Sequence, residues 1–252
     1  MRDCLRVLAA VAVLGWAAGA QGAEGKPGEF DYYVLAMSWS PSFCESKAGS
    51  SRPGEPQCSG DRPYSFVIHG LWPQYSRGWP QFCQTAERPW VPDNLIKDMI
   101  DVMPSKRLII NEYKKHGTCS GLSPNDYFAA ARRAFERVKI PARFQNPQDY
   151  VTVSPGDIEA EFLKANPELK PEMISISCNS RKLGELRVCF GRDLQLTACG
   201  VNEDQNKLCS SDRIVMPPVR LGAARYERGN GEGRYQREEE GDDEGEDDDG
   251  ER

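Results

Sequence analysis

Residues 111–119 have the sequence Asn-Glu-Tyr-Lys-Lys-His-Gly-Thr-Cys. If this segment forms a helical turn, Glu112 and His116 lie at positions i and i+4 on one face, with Lys115 beside them. Such a turn offers a proton acceptor and groups that can neutralise a developing negative charge. The alternative is a solvated turn that is charged by chance. Histidine is rare in this chain, which has only His69 and His116, and both lie beside unusual sequence. This argues against a turn that is charged by chance.

The first twenty residues have the pattern of an export signal. A basic start precedes an apolar run over residues 7–18, and residues 18–20 (Ala-Gly-Ala) match a small-residue cleavage site. The run is too short to span a bilayer comfortably, and no other long apolar segment follows. We therefore expect a signal peptide at residues 1–20, with cleavage as late as residue 23. The mature protein should be exported and soluble, with no membrane partner.

The cysteines agree with export. Once Cys4 leaves with the signal, eight remain, namely Cys44, Cys58, Cys83, Cys119, Cys178, Cys189, Cys199 and Cys209. An even number in an exported chain predicts four disulfides, although spacing alone leaves about 105 connectivities open. Zinc is the weaker alternative, because there is no Cys-x-x-Cys pair and there are only two histidines. No metal and no cofactor are expected.

Charge is concentrated at the carboxyl end. Residues 236–252 contain eleven acidic residues and two arginines, a net charge of −9, so the rest of a chain of total charge −6 is close to +3. A mildly basic body is compatible with a polyanionic partner. From residue 222 onward apolar residues nearly vanish, which predicts a disordered acidic tail over 222–252. A solubilising tail, a mimic of RNA that folds over the basic body, and a loose cation binder are the three interpretations.

The remaining pattern indicates one α+β domain. Strands are predicted over 31–40, 64–68, 173–178, 183–190 and 194–198, a loop over 44–62, and helices that begin at Asp93, Ser123 and Ser154 and end near Met103, Val138 and Ala165. Because strands and helices do not alternate regularly, we expect a central, largely antiparallel sheet flanked by helices and stapled by disulfides.

Residues 66–74 have the sequence Phe-Val-Ile-His-Gly-Leu-Trp-Pro-Gln. The predicted strand ends at His69, and a turn is expected at Gly70. Taken alone, His69 is more easily explained as a structural residue. Taken together with residues 111–119, it is better explained as the second half of an active site.

Residues 66–73 and 112–119 resemble the two active-site segments of the ribonuclease T2 family, and residues 34–39 resemble the first core strand of that family. The resemblance extends from Phe30 to about Arg220. It implies a ribonuclease T2-like catalytic domain at 30–221, preceded by a flexible leader at 21–29.

Family members are exported, acid-active, metal-independent enzymes that cleave RNA. The resemblance therefore implies an endoribonuclease that cuts single-stranded RNA by attack of the 2′-hydroxyl, leaving a 2′,3′-cyclic phosphate. His116 would be the general base and His69 the general acid, while Lys115 and Glu112 stabilise the transition state. DNA lacks the nucleophile and should not be cut. RNA is the expected partner, and we expect a monomer.

The resemblance also implies how RNA is held. Trp72 would stack on the base 5′ to the cut, with Gln74 and Tyr75 contacting the same base; a core tryptophan is the structural alternative. Two positions depart from the family pattern. Asn111 replaces a histidine that helps to hold the phosphate, so we expect weaker phosphate binding with the chemistry retained. Ser38 replaces a glutamine of the second base site, which leaves specificity there open.

The disulfide pairs that the resemblance implies are Cys44–Cys58, Cys83–Cys119, Cys178–Cys209 and Cys189–Cys199. The chain has no Asn-x-Ser/Thr glycosylation site, which favours a bacterial periplasmic or secreted protein.

Three other functions remain as alternatives. A catalytically weakened relative could act as an exported RNA-binding or stress protein, and the change at Asn111 is the feature in its favour. A metal-dependent nuclease or phosphatase would require clustered ligands, and activity abolished by EDTA would support it. A serine hydrolase lacks support, because residues 117–121 are not a Gly-x-Ser-x-Gly elbow.

Overall fold

The computed structural model describes residues 22–52, 54–60 and 62–220, and only the backbone of residues 22–24. The predicted signal peptide at 1–20 and the predicted acidic tail at 222–252 lie outside the described residues.

Eight strands are present in the described part of the chain: β1 (Gly22–Glu24), β2 (Tyr32–Trp39), β3 (Phe66–Gln74), β4 (Trp79–Gln81), β5 (Val151–Val153), β6 (Ile174–Asn179), β7 (Lys182–Gly191) and β8 (Ile214–Met216). The α-helices of the same residues are α1 (Ser40–Glu45), α2 (Lys47–Ser50), α3 (Pro56–Ser59), α4 (Asp93–Met99), α5 (Lys106–Glu112), α6 (Thr118–Ser120), α7 (Pro124–Arg137), α8 (Ala142–Gln145), α9 (Pro155–Ala165) and α10 (Gln205–Leu208). A π-helical turn occupies Tyr113–Gly117, and 3₁₀ turns occupy Pro171–Met173 and Val201–Glu203.

The main sheet has the strand order β3-β2-β7-β8-β5, with β6 paired to β7. The pairs β2–β3, β2–β7, β6–β7 and β5–β8 are antiparallel, whereas β7 and β8 meet in a single parallel pair. A mixed sheet with helices and four disulfides confirms the predicted α+β fold with a largely antiparallel sheet.

The side chains of β2 alternate between the two faces of the sheet. Its odd-numbered side chains, such as Leu35 and Met37, lie in the main hydrophobic core. Its even-numbered side chains point to the other face, because successive residues of a strand alternate. There Val34 packs in a small cluster with Cys189 and the half-buried Trp72. The candidate site lies on this second face.

Helices cover the core face. Helix α7 packs against β2 and β3, and α9 packs against β6. Both begin at the predicted caps, since Ser123 accepts a hydrogen bond from the Asp126 amide and Ser154 forms a capping box with Asp157. Their buried aromatic residues, Phe128 on α7 and Phe162 on α9, are among the largest in the core.

Several local predictions differ from the structure. The segment 44–62, expected to be a loop, contains the short helices α2 and α3. The helix from Asp93 ends at Met99, before the expected Met103. In place of a strand at 194–198 there is an isolated bridge between Phe190 and Leu196, because β7 finds its long partners in β2 and β6.

The segment 21–29, expected to be a flexible leader, contributes β1, which pairs in parallel with β4. The Gly28 amide then donates a hydrogen bond to the carbonyl of Cys119 at 2.9 Å. Backbone hydrogen bonds of this kind do not depend on side-chain pattern, which is why a polar, Gly-rich sequence did not reveal them.

The four disulfides of the structure are Cys44–Cys58, Cys83–Cys119, Cys178–Cys209 and Cys189–Cys199. They are the same pairs that the resemblance implies. Such bonds are typical of exported proteins.

Candidate active site

A β-bulge in β3 places His69 at the site. Ala36 and Met37 of β2 pair with Gly70 and Ile68, so that His69 is the extra residue with no partner across the ladder. A bulge bends its strand and re-aims a side chain. The side chain of His69 is 35 % exposed. The strand continues through Gly70 to Gln74, so the turn predicted at Gly70 is absent.

Gly70 leaves room for a hydrogen bond that joins the two histidine segments. The indole Nε1 of Trp72 donates to Oε2 of Glu112 at 2.7 Å. A Cβ atom on Gly70 would lie 2.2 Å from Glu112 Oε2 and 2.3 Å from Trp72 Nε1, too close for any side chain. Glycine at this position therefore allows Trp72 and Glu112 to meet.

The segment 111–119 is helical, with one extra residue in its hydrogen-bond ladder. Helix α5 runs to Glu112, and the π-helical turn Tyr113–Gly117 follows directly. Such turns frequently mark functional sites. Glu112 and His116 are buried, at 6 % and 4 % exposure, and Lys115 is half-buried.

The end of the π-helical turn is held by neighbouring chain segments. Cys119 is bonded to Cys83, and the backbone amide of Phe82 donates to the carbonyl of Lys115 at 2.8 Å. The disulfide and the backbone hydrogen bond therefore hold Lys115 and the adjacent His116 against the segment that follows β4.

Strand β7 adds two charged side chains to the site. His69 Nδ1 contacts Oε1 of Glu185, and Glu185 Oε2 accepts from Arg187 Nε at 2.9 Å. Another guanidinium nitrogen of Arg187, Nη1, lies 3.3 Å from Oε2 of Glu203. The guanidinium also lies over the ring of Trp72, 5.1 Å from its centroid.

The two histidines have opposite electrostatic surroundings. Burial lowers the pKa of His69, but the hydrogen bond and charge of Glu185, together with the charge of Glu112, outweigh it and raise the pKa above its ordinary value. For His116, burial and the positive charge of Lys115 lower the pKa to about 3. At pH values between the pKa of His116 and the raised pKa of His69, His116 is neutral while His69 is protonated.

The two carboxylates also differ. Burial raises the pKa of Glu112, which His69 and the Trp72 hydrogen bond only partly offset. Burial also raises the pKa of Glu185, but the hydrogen bond and charge of His69, with Arg187, lower it to about 2. Glu185 is therefore the permanent anion of the site, and Glu112 is the carboxyl group that gains a proton more easily.

The aromatic ring of Trp72 lies close to both histidines. Its centroid is 5.2 Å from that of His69 and 5.4 Å from that of His116. The Nδ1 atom of His116 is buried and has no hydrogen-bond partner among the residues that the structure describes. An unpaired buried nitrogen costs less in a neutral ring than in a charged one.

Two cavities flank this group, and His69 and Glu112 line both. The first, of about 470 Å³, is lined by His69, Trp72, Gln74, Trp79, Glu112, Lys115, His116, Glu185, Arg187, Asn202, Glu203 and Leu208. The second, of about 310 Å³, is lined by Ser38, Phe43, Arg52, Glu55, Gln57, Val67, His69, Ser105, Arg107, Leu108, Asn111 and Glu112. A chain-like ligand could thus occupy both cavities with its middle at His69 and Glu112.

The remaining predicted site residues divide between these cavities, with one exception. Gln74 lines the first cavity, where its Oε1 accepts from Asn202 at 3.2 Å. Ser38 and Asn111 line the second. Tyr75 lines neither and packs partly on the main core, and Trp79 is the further aromatic residue of the first cavity.

Sequence reasoning missed Glu185, Arg187 and Glu203. A signal for the first two was present, because Leu183 to Phe190 was predicted as a strand, and Glu185 and Arg187 alternate there with apolar residues. Alternation shows that they share a face of the sheet. It does not show that β2 brings that face next to His69.

The described residues contain neither a cluster of metal ligands nor a membrane-spanning helix. No group of three or more His, Cys, Asp or Glu side chains is arranged there to hold a metal ion. No helix of the described ranges has the length and apolar character needed to cross a membrane.

Comparison with known proteins places the chain in a family. The family model "Ribonuclease T2 family" matches residues 30–199. A "Ribonuclease" of Aeromonas hydrophila is 41 % identical over 137 residues, 54 % of this chain and 60 % of that protein. A "Probable ribonuclease" of Haemophilus influenzae is 31 % identical over 179 residues, 67 % of this chain and 61 % of that protein. Each match thus spans less than two thirds of the relative.

Among solved structures, an "RNase-related protein from Calystegia sepium" has the same fold. It matches with a TM-score of 0.57 and 21 % identity, over 75 % of this chain and 98 % of that chain. The family model covers both histidine segments and most of the sheet. This chain belongs to the ribonuclease T2 family.

Proposed function

We propose that this protein is an endoribonuclease that cleaves single-stranded RNA and leaves a 2′,3′-cyclic phosphate and a 5′-hydroxyl. The observation that carries the proposal is that His69 and His116 line a single cavity in opposite electrostatic surroundings, which raise the pKa of His69 and lower that of His116 to about 3. Cleavage by transphosphorylation requires such a pair, since one proton must be removed and another delivered.

In the proposed reaction, the 2′-oxygen attacks the adjacent phosphorus. Neutral His116 takes the 2′-hydroxyl proton as the bond from O2′ to phosphorus forms. His69 gives its proton to O5′ as the bond from phosphorus to O5′ breaks. Charge is conserved within the site, because His116 becomes cationic while His69 becomes neutral.

Lys115 and Glu112 are proposed to stabilise the phosphorane. Lys115 places a positive charge in the same cavity as His116, where it can neutralise the phosphoryl oxygens. Burial raises the pKa of Glu112, so this carboxyl can carry a proton and share it with a phosphoryl oxygen at acidic pH. The steps use side chains of this chain alone, and we expect cleavage to persist in EDTA.

The two cavities support the path of the RNA. The base 5′ to the cut is proposed to bind in the first cavity, against Trp72 and the polar groups of Gln74 and Asn202. The following nucleotide then enters the second cavity beside Ser38 and Asn111. The phosphate between them is placed at His69 and Glu112, the residues common to both cavities.

A weakened family member that binds RNA is the second candidate, and Asn111 is the observation that favours it. Asn111 is exposed and lines the second cavity, where its amide can donate a hydrogen bond but carries no charge. For the ribonuclease proposed above, the expected consequence of Asn111 is instead a higher KM with kcat retained. A wild-type protein that binds RNA but does not cut it would favour this candidate.

The disulfides fit an exported protein. We propose that the protein acts outside the cytoplasm, in the periplasm or after secretion, as a monomer with RNA as its partner. A DNA strand lacks the 2′-hydroxyl and is not expected to be cut.

The deciding experiment is cleavage of a short RNA in the presence of EDTA. Wild type is expected to give a 2′,3′-cyclic phosphate, and His116→Ala to lose roughly 10²- to 10⁴-fold in rate, the typical contribution of a general base. The same oligonucleotide with a 2′-deoxy residue at the cut should be stable. Persistent cleavage by His116→Ala would refute the assignment of the base.

Lys115→Ala and Lys114→Ala form a matched pair in the same turn. Lys115 is half-buried and lines the first cavity, whereas Lys114 is exposed and lines neither cavity. We expect Lys115→Ala to lower kcat at least tenfold and Lys114→Ala to leave it near wild type. Equal losses would show that the charge of the turn, not the placement of Lys115, matters.

A further inference from the structure

We infer that Glu185 is a positioning residue that orients the ring of His69 through Nδ1 and stabilises its protonated form, and that Arg187 and Glu203 hold Glu185 in place. The inference rests on the proposed function, because it assigns to Glu185 a role in proton delivery by His69.

The orientation of His69 follows from the use of its two nitrogens. Nδ1 is engaged by Glu185 Oε1, while Nε2 is 3.7 Å from Glu112 Oε1. Because the carboxylate occupies Nδ1, the proton that can leave is the one on Nε2. Nε2 faces Glu112, which lines both cavities, and the leaving oxygen of RNA is proposed to lie there.

Glu185 has little freedom of its own. Its Oε2 accepts from Arg187 Nε at 2.9 Å and also lies 2.8 Å from Nη2, so two guanidinium nitrogens contact this one carboxylate oxygen. Arg187 is held in turn by Glu203, whose Oε2 accepts from Ser175 Oγ at 2.9 Å. The exposed fractions of the side chains of Glu185, Arg187 and Glu203 are 12 %, 17 % and 3 %. This set of three residues is therefore a mostly buried chain of charges that ends at His69.

The sheet explains how β7 reaches His69 across β2. Glu185 is paired with Ser38 and Arg187 with Ala36. Paired residues share a face, and neighbouring strands are about 4.8 Å apart. Because Ser38 and Ala36 are small, side chains from β3 and β7 can meet above them. A large residue at either position would separate Glu185 from His69.

Several structural elements contribute charged groups around His69. Glu185 and Arg187 come from β7, Glu112 from α5, and Lys115 and His116 from the π-helical turn. Arg52, Glu55 and Arg107 line the second cavity. Arg187 lowers the pKa of His69, and the two carboxylates raise it. Removing the charge of Glu185 therefore lowers the pKa of His69.

The test combines a histidine titration with kinetics in Glu185→Gln. The chain has two histidines, so nuclear magnetic resonance of ¹³C,¹⁵N-labelled protein yields two ring signals, which His116→Ala assigns. We expect the pKa of His69 to fall in Glu185→Gln and the alkaline limb of kcat/KM to move to lower pH by the same amount. At pH 7 we expect kcat to fall roughly tenfold. This loss is smaller than the roughly 10²- to 10⁴-fold loss that is typical when the general acid itself is removed.

Glu168→Gln is the matched control. Glu168 pairs with Arg137, its side chain is 77 % exposed, and it lines neither cavity. The pKa of His69 and the alkaline limb should be unchanged in this variant. If Glu185→Gln behaves like Glu168→Gln, the inference is overturned.

A measurement on the wild type covers the case in which Glu185→Gln does not fold. Above the pKa of His69, the ¹⁵N shifts of its ring should show the proton on Nδ1, held by Glu185. A proton on Nε2 instead would overturn the inference. Both resonance measurements are independent of catalysis, so a protein that fails to cleave RNA refutes the proposed function and still reports on Glu185.

Discussion

At the scale of the residue, the surroundings of His69 and His116 set their protonation states. His116 is buried beside Lys115, whereas His69 contacts Glu185 and faces Glu112. Positive neighbours and burial disfavour an imidazolium, and carboxylates favour it. At one pH the candidate site can therefore hold one neutral and one protonated histidine, as the proposed base and acid require.

A bell-shaped pH dependence of kcat/KM is the first prediction at this scale. Activity rises as His116 loses its proton and falls as His69 loses its own. Because the pKa of His116 is held at about 3 and that of His69 is raised, the acid limb should lie well below pH 6.5 and the alkaline limb above it. The measurement is cleavage of a dinucleotide from pH 3 to pH 9 at constant ionic strength. An acid limb near pH 6.5 would contradict the environment described for His116.

At the scale of the element, β3 carries two local features that build the site. The bulge at His69 turns a histidine out of an otherwise regular strand. One residue later, Gly70 leaves the space in which Trp72 and Glu112 form their hydrogen bond. Together they connect the strand to α5 and the π-helical turn.

Gly70→Ala is predicted to damage both stability and activity. The added methyl carbon would lie 2.2 Å from Glu112 Oε2, so the carboxyl and the indole must separate. We expect a loss of about 1–3 kcal/mol in the free energy of unfolding, as for other overpacked sites, with a fall in kcat. Urea unfolding and the cleavage rate measure the two effects.

Gly156→Ala is the control for this substitution. Gly156 lies in the first turn of α9, and a Cβ there would have its nearest neighbour, Ser154 Oγ, at 3.9 Å. Alanine should be neutral or stabilise the helix by about 0.4–1 kcal/mol, without a change in kcat. If the two variants behave alike, the space beside Gly70 is not needed.

At the scale of the whole molecule, the disulfides tie the site to the body of the domain. Cys83–Cys119 closes a separation of 36 residues and ends in α6, directly after the π-helical turn, whereas Cys178–Cys209 closes a separation of 31 and ends on β6. The two bonds restrict the unfolded chain to a similar degree, because loop entropy depends weakly on length.

Replacing each pair by serine separates stability from catalysis. Both double variants, Cys83→Ser/Cys119→Ser and Cys178→Ser/Cys209→Ser, should lose about 2–5 kcal/mol of unfolding free energy. The first should also lower kcat, because Cys119 adjoins the turn that carries Lys115 and His116. Thermal unfolding and kcat, measured where both variants are folded, test this. A fall in kcat confined to the second variant would contradict it.

Much of the fold and half of the site could be predicted from the sequence. The strand at 31–40, the helices that begin at Ser123 and Ser154, and the two histidine segments all depend on local pattern, such as alternation, caps and residue spacing. The disulfide pairs came from the resemblance, since spacing alone left them open.

Tertiary structure decided what surrounds His69. The bulge depends on how β3 pairs with β2. Strand β7 lies two strands from β3, on the other side of β2, and Glu185 reaches His69 by passing over the small side chains of Ser38 and Ala36. Residues 69 and 185 are far apart along the chain, so no local pattern links them. By itself, the sequence predicted candidate residues for proton transfer. Packing across the sheet placed Glu185 beside His69, which raises the pKa of that ring, while burial and Lys115 lower the pKa of His116.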